Sequence, residues 1–180
     1  MDDKQMIRRS KRLSKVLRHD PASAGLTLDG AGWVPVADVL AALGLDRAEL
    51  EEVVARNNKR RFAFDGTGTR IRASQGHSVP VDLGLPPLDP PAVLYHGTVA
   101  AALGAIAAEG LRPMNRQHVH LSATEDTALA VGARRGRPVV LVVRAAVMAA
   151  DGHVFHRSEN GVWLTAGVPP RYFDLPGGRG

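Results

Sequence analysis

Arg18-His19 sets a permanently charged guanidinium beside an imidazole that titrates near neutral pH. Such a pair can hold a phosphate and move a proton. The plainer reading is a basic helix C-terminus favoured by the helix dipole, with Pro21 stopping the helix. Asn57-Asn58-Lys59-Arg60-Arg61 puts three cations and two amides into five residues, which suits either a phosphate cradle or a solvated turn. Gln75-Gly76-His77-Ser78 and Tyr95-His96-Gly97-Thr98 each place a histidine next to a glycine, the second directly after a short apolar stretch. His118 and His120 are two apart, so in a strand they share a face. Arg134, Arg135 and Arg137 gather between a helical stretch and an apolar run, where they read as a C-cap or as an anion site. Asn160-Gly161 reads as a turn leading into Val162-Trp163-Leu164.

Several chemistries are excluded. The chain has no cysteine, so disulfides, thiolate zinc sites and a cysteine nucleophile are ruled out. His96, His118 and His120 have no Asp or Glu at ligand spacing, and no metal is expected. Neither a Gly-x-Gly-x-x-Gly fingerprint nor a Walker loop is present.

The elements that must position these residues divide into two groups. Pro80 to Pro91 holds five of the 12 prolines and reads as an extended linker. The expected division is 1–79, a linker over 80–91, and 92–180. In the first part, Met6, Leu13, Val16 and Leu17 fit one face of a helix. Val36, Val39, Leu40 and Leu43 fit a second, with Pro35 at its start and Gly44 at its stop. Asp46 and Glu49 form a capping-box pattern ahead of Leu50, Val53 and Val54. Phe62–Phe64 and Thr69–Ala73 flank Asp65-Gly66-Thr67-Gly68 as a hairpin. Three helices and a hairpin are the order of a winged helix.

The second part alternates. Strands are expected at Val93–Tyr95, His118–Leu121, a buried Val139–Arg144, Val162–Leu164 and, more weakly, Tyr172–Phe173. Ala100–Glu109 is expected to be helical and closed by Gly110, and a helix capped by Ser122 and Glu125 should run to about Ala133. The whole reads as α+β, with a mainly β second lobe.

The 180 residues are 44% hydrophobic and 23% charged, an ordinary globular composition. No apolar run is long enough to cross a membrane, and the charged start is not a secretory signal, so a cytoplasmic protein is expected. The net charge is +5, with 23 basic residues against 18 acidic, which suits a polyanionic partner. Seven basic residues and no acid lie between Lys4 and Arg18.

Taken together and in order, seven segments resemble the NAD-dependent RNA 2′-phosphotransferase family. They are Ser14-Lys15-x-Leu17-Arg18-His19, Asn57-x-Lys59-x-Arg61-Phe62, Arg72-Ala73-x-Gln75-Gly76-His77-Ser78 and Leu94-Tyr95-His96-Gly97-Thr98. Arg116-x-His118-Val119-His120-Leu121-Ser122, Val131-Gly132-x-Arg134-x-Gly136 and Asn160-Gly161-Val162-Trp163-Leu164 complete the set. The resemblance runs from Ser10 to Phe173.

It implies a winged-helix RNA-binding lobe followed by an NAD-binding lobe like that of ADP-ribosyltransferases. It implies removal of an internal RNA 2′-phosphate, of the tRNA splice-junction type, with NAD as co-substrate. The products would be RNA with a free 2′-hydroxyl, nicotinamide and ADP-ribose 1″,2″-cyclic phosphate, formed through an RNA 2′-phospho-ADP-ribose intermediate. The family's catalytic set falls on Arg18, His19, Arg61 and Arg134. NAD binding falls on His96, Gly97, Thr98, Arg116, His118, His120, Ser122 and Gly132. RNA and phosphate binding fall on Lys15, Asn57, Lys59, Gln75 and His77. The implied catalytic set draws on both parts of one chain, so a monomer is expected.

Two other functions compete. An ADP-ribosyltransferase acting on terminal phosphates of nucleic acid would stop after the first step. A winged-helix nucleic-acid-binding protein would do no chemistry. Where many ADP-ribosyltransferases place a glutamate, this chain has Asn160-Gly161-Val162-Trp163, which argues against modification of proteins.

Overall fold

The computed structural model describes residues 1–176; positions 177–180, the end of the expected second lobe, lie outside the described residues. The chain divides into two units, Met1–Gly84 and Leu85–Gly180, so the division falls inside the proline-rich stretch. Each unit has its own apolar core. Both mix helices with small sheets, as an α+β reading requires.

In the first unit, helix α1 (Asp3–Arg18) starts at Asp2, whose carboxylate accepts from the Gln5 backbone N–H. It buries Met6, Leu13, Val16 and Leu17, the face read from the spacing. Strand β1 (Val34–Pro35) leads into α2 (Val36–Leu43). That helix ends on Gly44 at φ 62°, a left-handed conformation that glycine adopts without a Cβ clash. Helix α3 (Arg47–Ala55) carries the expected capping box: Asp46 accepts from the Glu49 N–H, and Glu49 accepts from the Asp46 N–H. Strands β2 (Phe62–Phe64) and β3 (Arg70–Ala73) form the hairpin.

The sheet is larger than the expected hairpin, because β1 adds to the other edge of β3 in the order β1-β3-β2. Two residues carry no readable alternation, so β1 had no sequence signal. Its addition makes β3 a central strand, and Ile71, Arg72 and Ala73 are all buried.

In the second unit, β4 (Leu94–Val99) and β6 (Pro138–Val143) pair antiparallel. Strands β5 (Val119–Leu121), β7 (Phe155–Arg157) and β8 (Trp163–Thr165) form a second sheet in the order β5-β8-β7. A bridge between Tyr95 and Ser122 joins the two sheets. Helices α4 (Leu103–Glu109), α5 (Glu125–Gly132) and α6 (Ala145–Ala150) share this unit with the strands, so it is less dominated by β structure than expected.

Four local readings need correction. Thr124, not Ser122, caps α5 by accepting from the Thr127 N–H, because Ser122 uses its backbone N–H and C=O on Tyr95. Strand β6 is half-open rather than buried, with Val142 45% exposed. Tyr172 ends a 3-10 turn, Pro170–Tyr172, and only Phe173 bridges to a strand, at Val143. Ala100–Ala102 forms a 3-10 turn ahead of α4 instead of its first turn.

Candidate active site

The first constellation is built where α1 ends. Arg18 is its last residue and is buried, at 7% exposure. Its carbonyl accepts the Ser78 N–H at 2.9 Å, so the helix end is tied to the segment after β3. His19, at the C-cap, lies on the surface, and its Nδ1 is 2.9 Å from Ser78 Oγ. Ser78 Oγ in turn lies 3.5 Å from the Arg18 carbonyl. A serine that donates to that carbonyl accepts from His19 Nδ1–H, which leaves Nε2 as the ring nitrogen open to a proton.

His77 lies behind this pair and is 2% exposed. Its pKa is pushed down to about 4, first by burial and then by Arg18, His19 and Arg72, so the ring is neutral at pH 7. His77 Nε2 and Gln75 Oε1 are buried without a hydrogen-bond partner among the described residues. A Cβ on Gly32 would stand 3.3 Å from that Nε2, so the ring sits close against this backbone, and φ 83° at Gly32 favours glycine there.

Arg72 is locked in place. Its Nη1 donates to the carbonyls of Ala31 and Leu83, at 3.3 Å each, and its guanidinium covers the Trp33 ring at 4.4 Å. Neither residue was singled out from the sequence as a site residue. The signal available was an arginine in a strand whose neighbours Ile71 and Ala73 are both apolar.

Asn57 and Arg61 belong to the turn before β2. Asn57 is buried, donates to Ser10 Oγ at 3.1 Å and accepts the Arg61 N–H at 3.3 Å. The Arg61 carbonyl accepts the Ser74 N–H at 2.8 Å, which joins this turn to the strand that leads to Gln75 and His77. Arg60, at φ 46°, holds the left-handed kink that turns the chain here. Lys59 is exposed on the turn. Lys15 is exposed and pairs with Asp20 at 3.2 Å.

The second constellation lies on β4 and β5. His96 Nδ1 is 3.2 Å from the His120 carbonyl, so it donates, and burial lowers its pKa and keeps it neutral. Arg116 donates from Nη1 to His120 Nδ1 at 2.8 Å, so a neutral His120 carries its proton on Nε2. Arg116 is pulled below the ordinary guanidinium value, first by burial and then by Arg135 and Arg134. Those three arginines therefore form one positive cluster. His118 meets the edge of the His156 ring at 6.2 Å; its pKa is lowered by burial and then by His156. Thr98 is buried.

Gly97 and Gly132 have a packing role. A Cβ on Gly97 would lie 1.8 Å from the Ala128 carbonyl oxygen, and one on Gly132 would lie 2.7 Å from the Thr98 carbonyl oxygen. Helix α5 thus rests its backbone directly on β4. With Gly97 facing the helix, His96 and Thr98 face the other side of the strand.

Ser158 Oγ accepts the Val162 N–H at 3.1 Å, and the Gly161 N–H reaches the Ser158 carbonyl at 2.9 Å. This closes the turn read at Asn160-Gly161, with Gly161 at φ 84° and Trp163 buried beyond it. Among the described residues no cluster of three His, Cys, Asp or Glu is placed to hold a metal, and no helix is long and apolar enough to cross a membrane.

The profile described as RNA 2′-phosphotransferase, Tpt1 / KptA family, matches residues 4–167. A protein of Streptomyces coelicolor named "Probable RNA 2′-phosphotransferase" is 59% identical over 181 residues, covering 98% of this chain and 98% of that protein. Proteins of the same name from Agrobacterium fabrum and Herpetosiphon aurantiacus are 56% and 54% identical, over 92% and 97% of this chain and 92% and 99% of their own lengths.

Proposed function

The chain belongs to the RNA 2′-phosphotransferase family, and from that premise we propose that it transfers an internal 2′-phosphate of RNA, of the tRNA splice-junction type, to NAD. The observation that carries this reading is the end of α1, where buried Arg18 and surface His19 are both anchored through Ser78 beside a neutral His77.

An RNA 2′-phosphate oxygen attacks the ribose carbon that bears nicotinamide. The carbon–nitrogen bond breaks and its electron pair leaves on the nicotinamide nitrogen. The RNA 2′-phospho-ADP-ribose so formed is opened when the neighbouring ribose 2″-hydroxyl attacks phosphorus. The bond from phosphorus to the RNA 2′-oxygen breaks, His19 gives that oxygen its proton, and the proton of the attacking hydroxyl passes to solvent. RNA with a 2′-hydroxyl and ADP-ribose 1″,2″-cyclic phosphate leave.

Both steps concentrate negative charge around one phosphorus. Arg18, Arg61 and Arg134 are assigned to that charge because guanidiniums keep their charge and hold phosphate with forked donors. By analogy with one oxyanion donor, each contributes about 3 kcal/mol to the transition state. Lys15, Asn57, Lys59, Gln75 and His77 are assigned to the RNA and its phosphate. The donors on and beside β4 and β5 suit a dinucleotide: Arg116, before β5, and Arg134 and Arg135, after α5, offer positive charge for a pyrophosphate, and neutral His96 and the His120 ring offer nitrogens for ribose hydroxyls. The remaining assigned residues, Gly97, Thr98, His118, Ser122 and Gly132, shape that surface. A winged-helix lobe and an ADP-ribosyltransferase-like lobe, in a cytoplasmic monomer that needs no metal, complete this reading.

The test uses RNA with one internal 2′-phosphate, radiolabelled at that phosphate, with and without NAD and without added metal. Label appearing in ADP-ribose cyclic phosphate only with NAD is the expected result. Label retained on an RNA enlarged by ADP-ribose would make the protein an RNA ADP-ribosyltransferase instead.

A further inference from the structure

Helix α1 carries a one-sided row of cations. At 3.6 residues per turn, Lys4, Arg8, Lys11 and Lys15 fall within about 60° of one another around its axis. They lie opposite the buried Met6, Leu13 and Leu17, and all four are exposed. Lys4, Arg8 and Lys11 have no acidic partner among the described residues, and Lys15 reaches only Asp20, beyond the helix end. Successive members stand three or four residues apart, where like charges repel and weaken a helix. Lys4, in the first turn, also opposes the helix dipole. A solvent-facing stripe needs only polarity, and mixed signs would satisfy it at less cost. This row accepts repulsion from end to end, and a polyanion would relieve it.

Two other elements of the unit, α3 and the hairpin turn, contrast with this one. In helix-turn-helix proteins the second helix of the pair reads the nucleic acid. Here α3 carries Glu49, Glu51 and Glu52. Its cations are neutralised: Arg47 pairs with Glu51 at 2.6 Å, and Arg56, at its C-cap, pairs with Glu52 at 2.8 Å. At the hairpin turn Asp65 pairs with Arg70 at 3.0 Å. Neither element presents unneutralised positive charge.

We propose that the solvent face of α1, rather than α3 or the hairpin, is the track for the RNA strand flanking the 2′-phosphate. The inference rests on the RNA-substrate reading above. The row spans about 16 Å at 1.5 Å per residue, a few nucleotides of extended strand, and Lys15 ends it one turn before Arg18 and His19. Its contacts are to backbone phosphates, so it binds without regard to sequence.

The test compares the wild-type chain with the triple variant Lys4→Gln, Arg8→Gln, Lys11→Gln. Each binds a single-stranded RNA oligonucleotide with a central 2′-phosphate, and separately a 2′-phosphorylated dinucleotide, across a salt series. On the oligonucleotide, the slope of log Kd against log salt should fall by about 2 in the variant, at about 0.7 per lost single-strand contact. On the dinucleotide the two proteins should give the same slope. Arg112→Gln, which removes a charge elsewhere, should leave both slopes unchanged. An unaltered oligonucleotide slope in the triple variant overturns the proposal. An equal loss on both ligands, or an equal loss per charge for Arg112→Gln, also overturns it, because net charge would then explain the effect. A thermal melt of the variant at or above the wild-type Tm shows that the helix is intact. Wild-type turnover of the same oligonucleotide tests the RNA-substrate reading separately.

Discussion

The two units hold some of their arginines in opposite ways. In the first, Arg18 and Arg72 are 7% and 8% exposed, and Arg72 is pinned by two carbonyls and an aromatic ring. In the second, Arg134, Arg135 and Arg137 are exposed where α5 ends. A buried guanidinium meets its desolvation and ordering cost during folding, so a phosphate finds it already in place. An exposed arginine meets that cost on binding. The second unit spends its precision elsewhere, on two glycines that let a helix lie directly on a strand. One region therefore fixes donors and the other fixes a surface, and substitutions in the two should fail differently.

The largest expected effect falls on the transfer reaction. Arg61→Lys keeps the charge and loses the fork, and kcat should fall by about 10²–10³, as when one preorganised donor is removed. Single-turnover kinetics checks this, and wild-type kcat would remove Arg61 from the clamp.

Gly97→Ala should break the other kind of precision. A Cβ 1.8 Å from the Ala128 oxygen forces α5 off β4, and overpacking of this sort costs about 3 kcal/mol. Urea unfolding measures it. A variant of undiminished stability that had lost only NAD affinity would show that Gly97 serves the ligand and not the packing.

The buried histidine sets a pH dependence. His77 is neutral in the fold, with its pKa lowered to about 4 from the ordinary 6.5. Its stabilising contribution is complete above about pH 6.5 and is lost as pH falls toward 4, because the unfolded chain takes up the proton first. Over that window the stability attributable to His77 should decline by about 2 kcal/mol. His77→Asn should flatten the decline, and equal slopes in the two proteins would place the acid sensitivity elsewhere.

Two smaller changes sharpen the contrast. Ser78→Ala frees His19 Nδ1 from its 2.9 Å contact, and kcat should drop several-fold with KM unchanged, in line with about 1 kcal/mol for one hydrogen bond. A change confined to KM would argue that Ser78 holds substrate instead. Asp46→Ala removes the α3 cap and should lower stability by about 1 kcal/mol without touching transfer chemistry.

The legible parts of the fold are those in which one residue type has one local use. The buried face of α1, the Gly44 stop and the Asp46–Glu49 box follow from spacing and caps, because helix geometry repeats every few residues and its ends need specific partners. Helix α6 was not legible. Its apolar run continues that of β6, with only Arg144 between them, and periodicity cannot divide such a stretch. Strands β1 and β7, two and three residues long, exist only because longer neighbours accept their hydrogen bonds. Ser122 looked like a cap and lost that role to Thr124, because a sheet bridge had already used its backbone.

The sequence by itself determined which chemistry this chain can and cannot do: arginine and histidine chemistry on an anion, with no thiol available. It also determined the ordered set of motifs, because side-chain types and their order need no folding to be read. Only the tertiary structure decided which of those side chains are fixed and which face solvent. It buried Arg72 by adding a third strand, made His77 neutral by burying it and setting it beside Arg18 and Arg72, and gave Gly97 and Gly132 to a helix that rests on a strand. Burial and electrostatic environment are set by residues distant in sequence, and no local pattern records them.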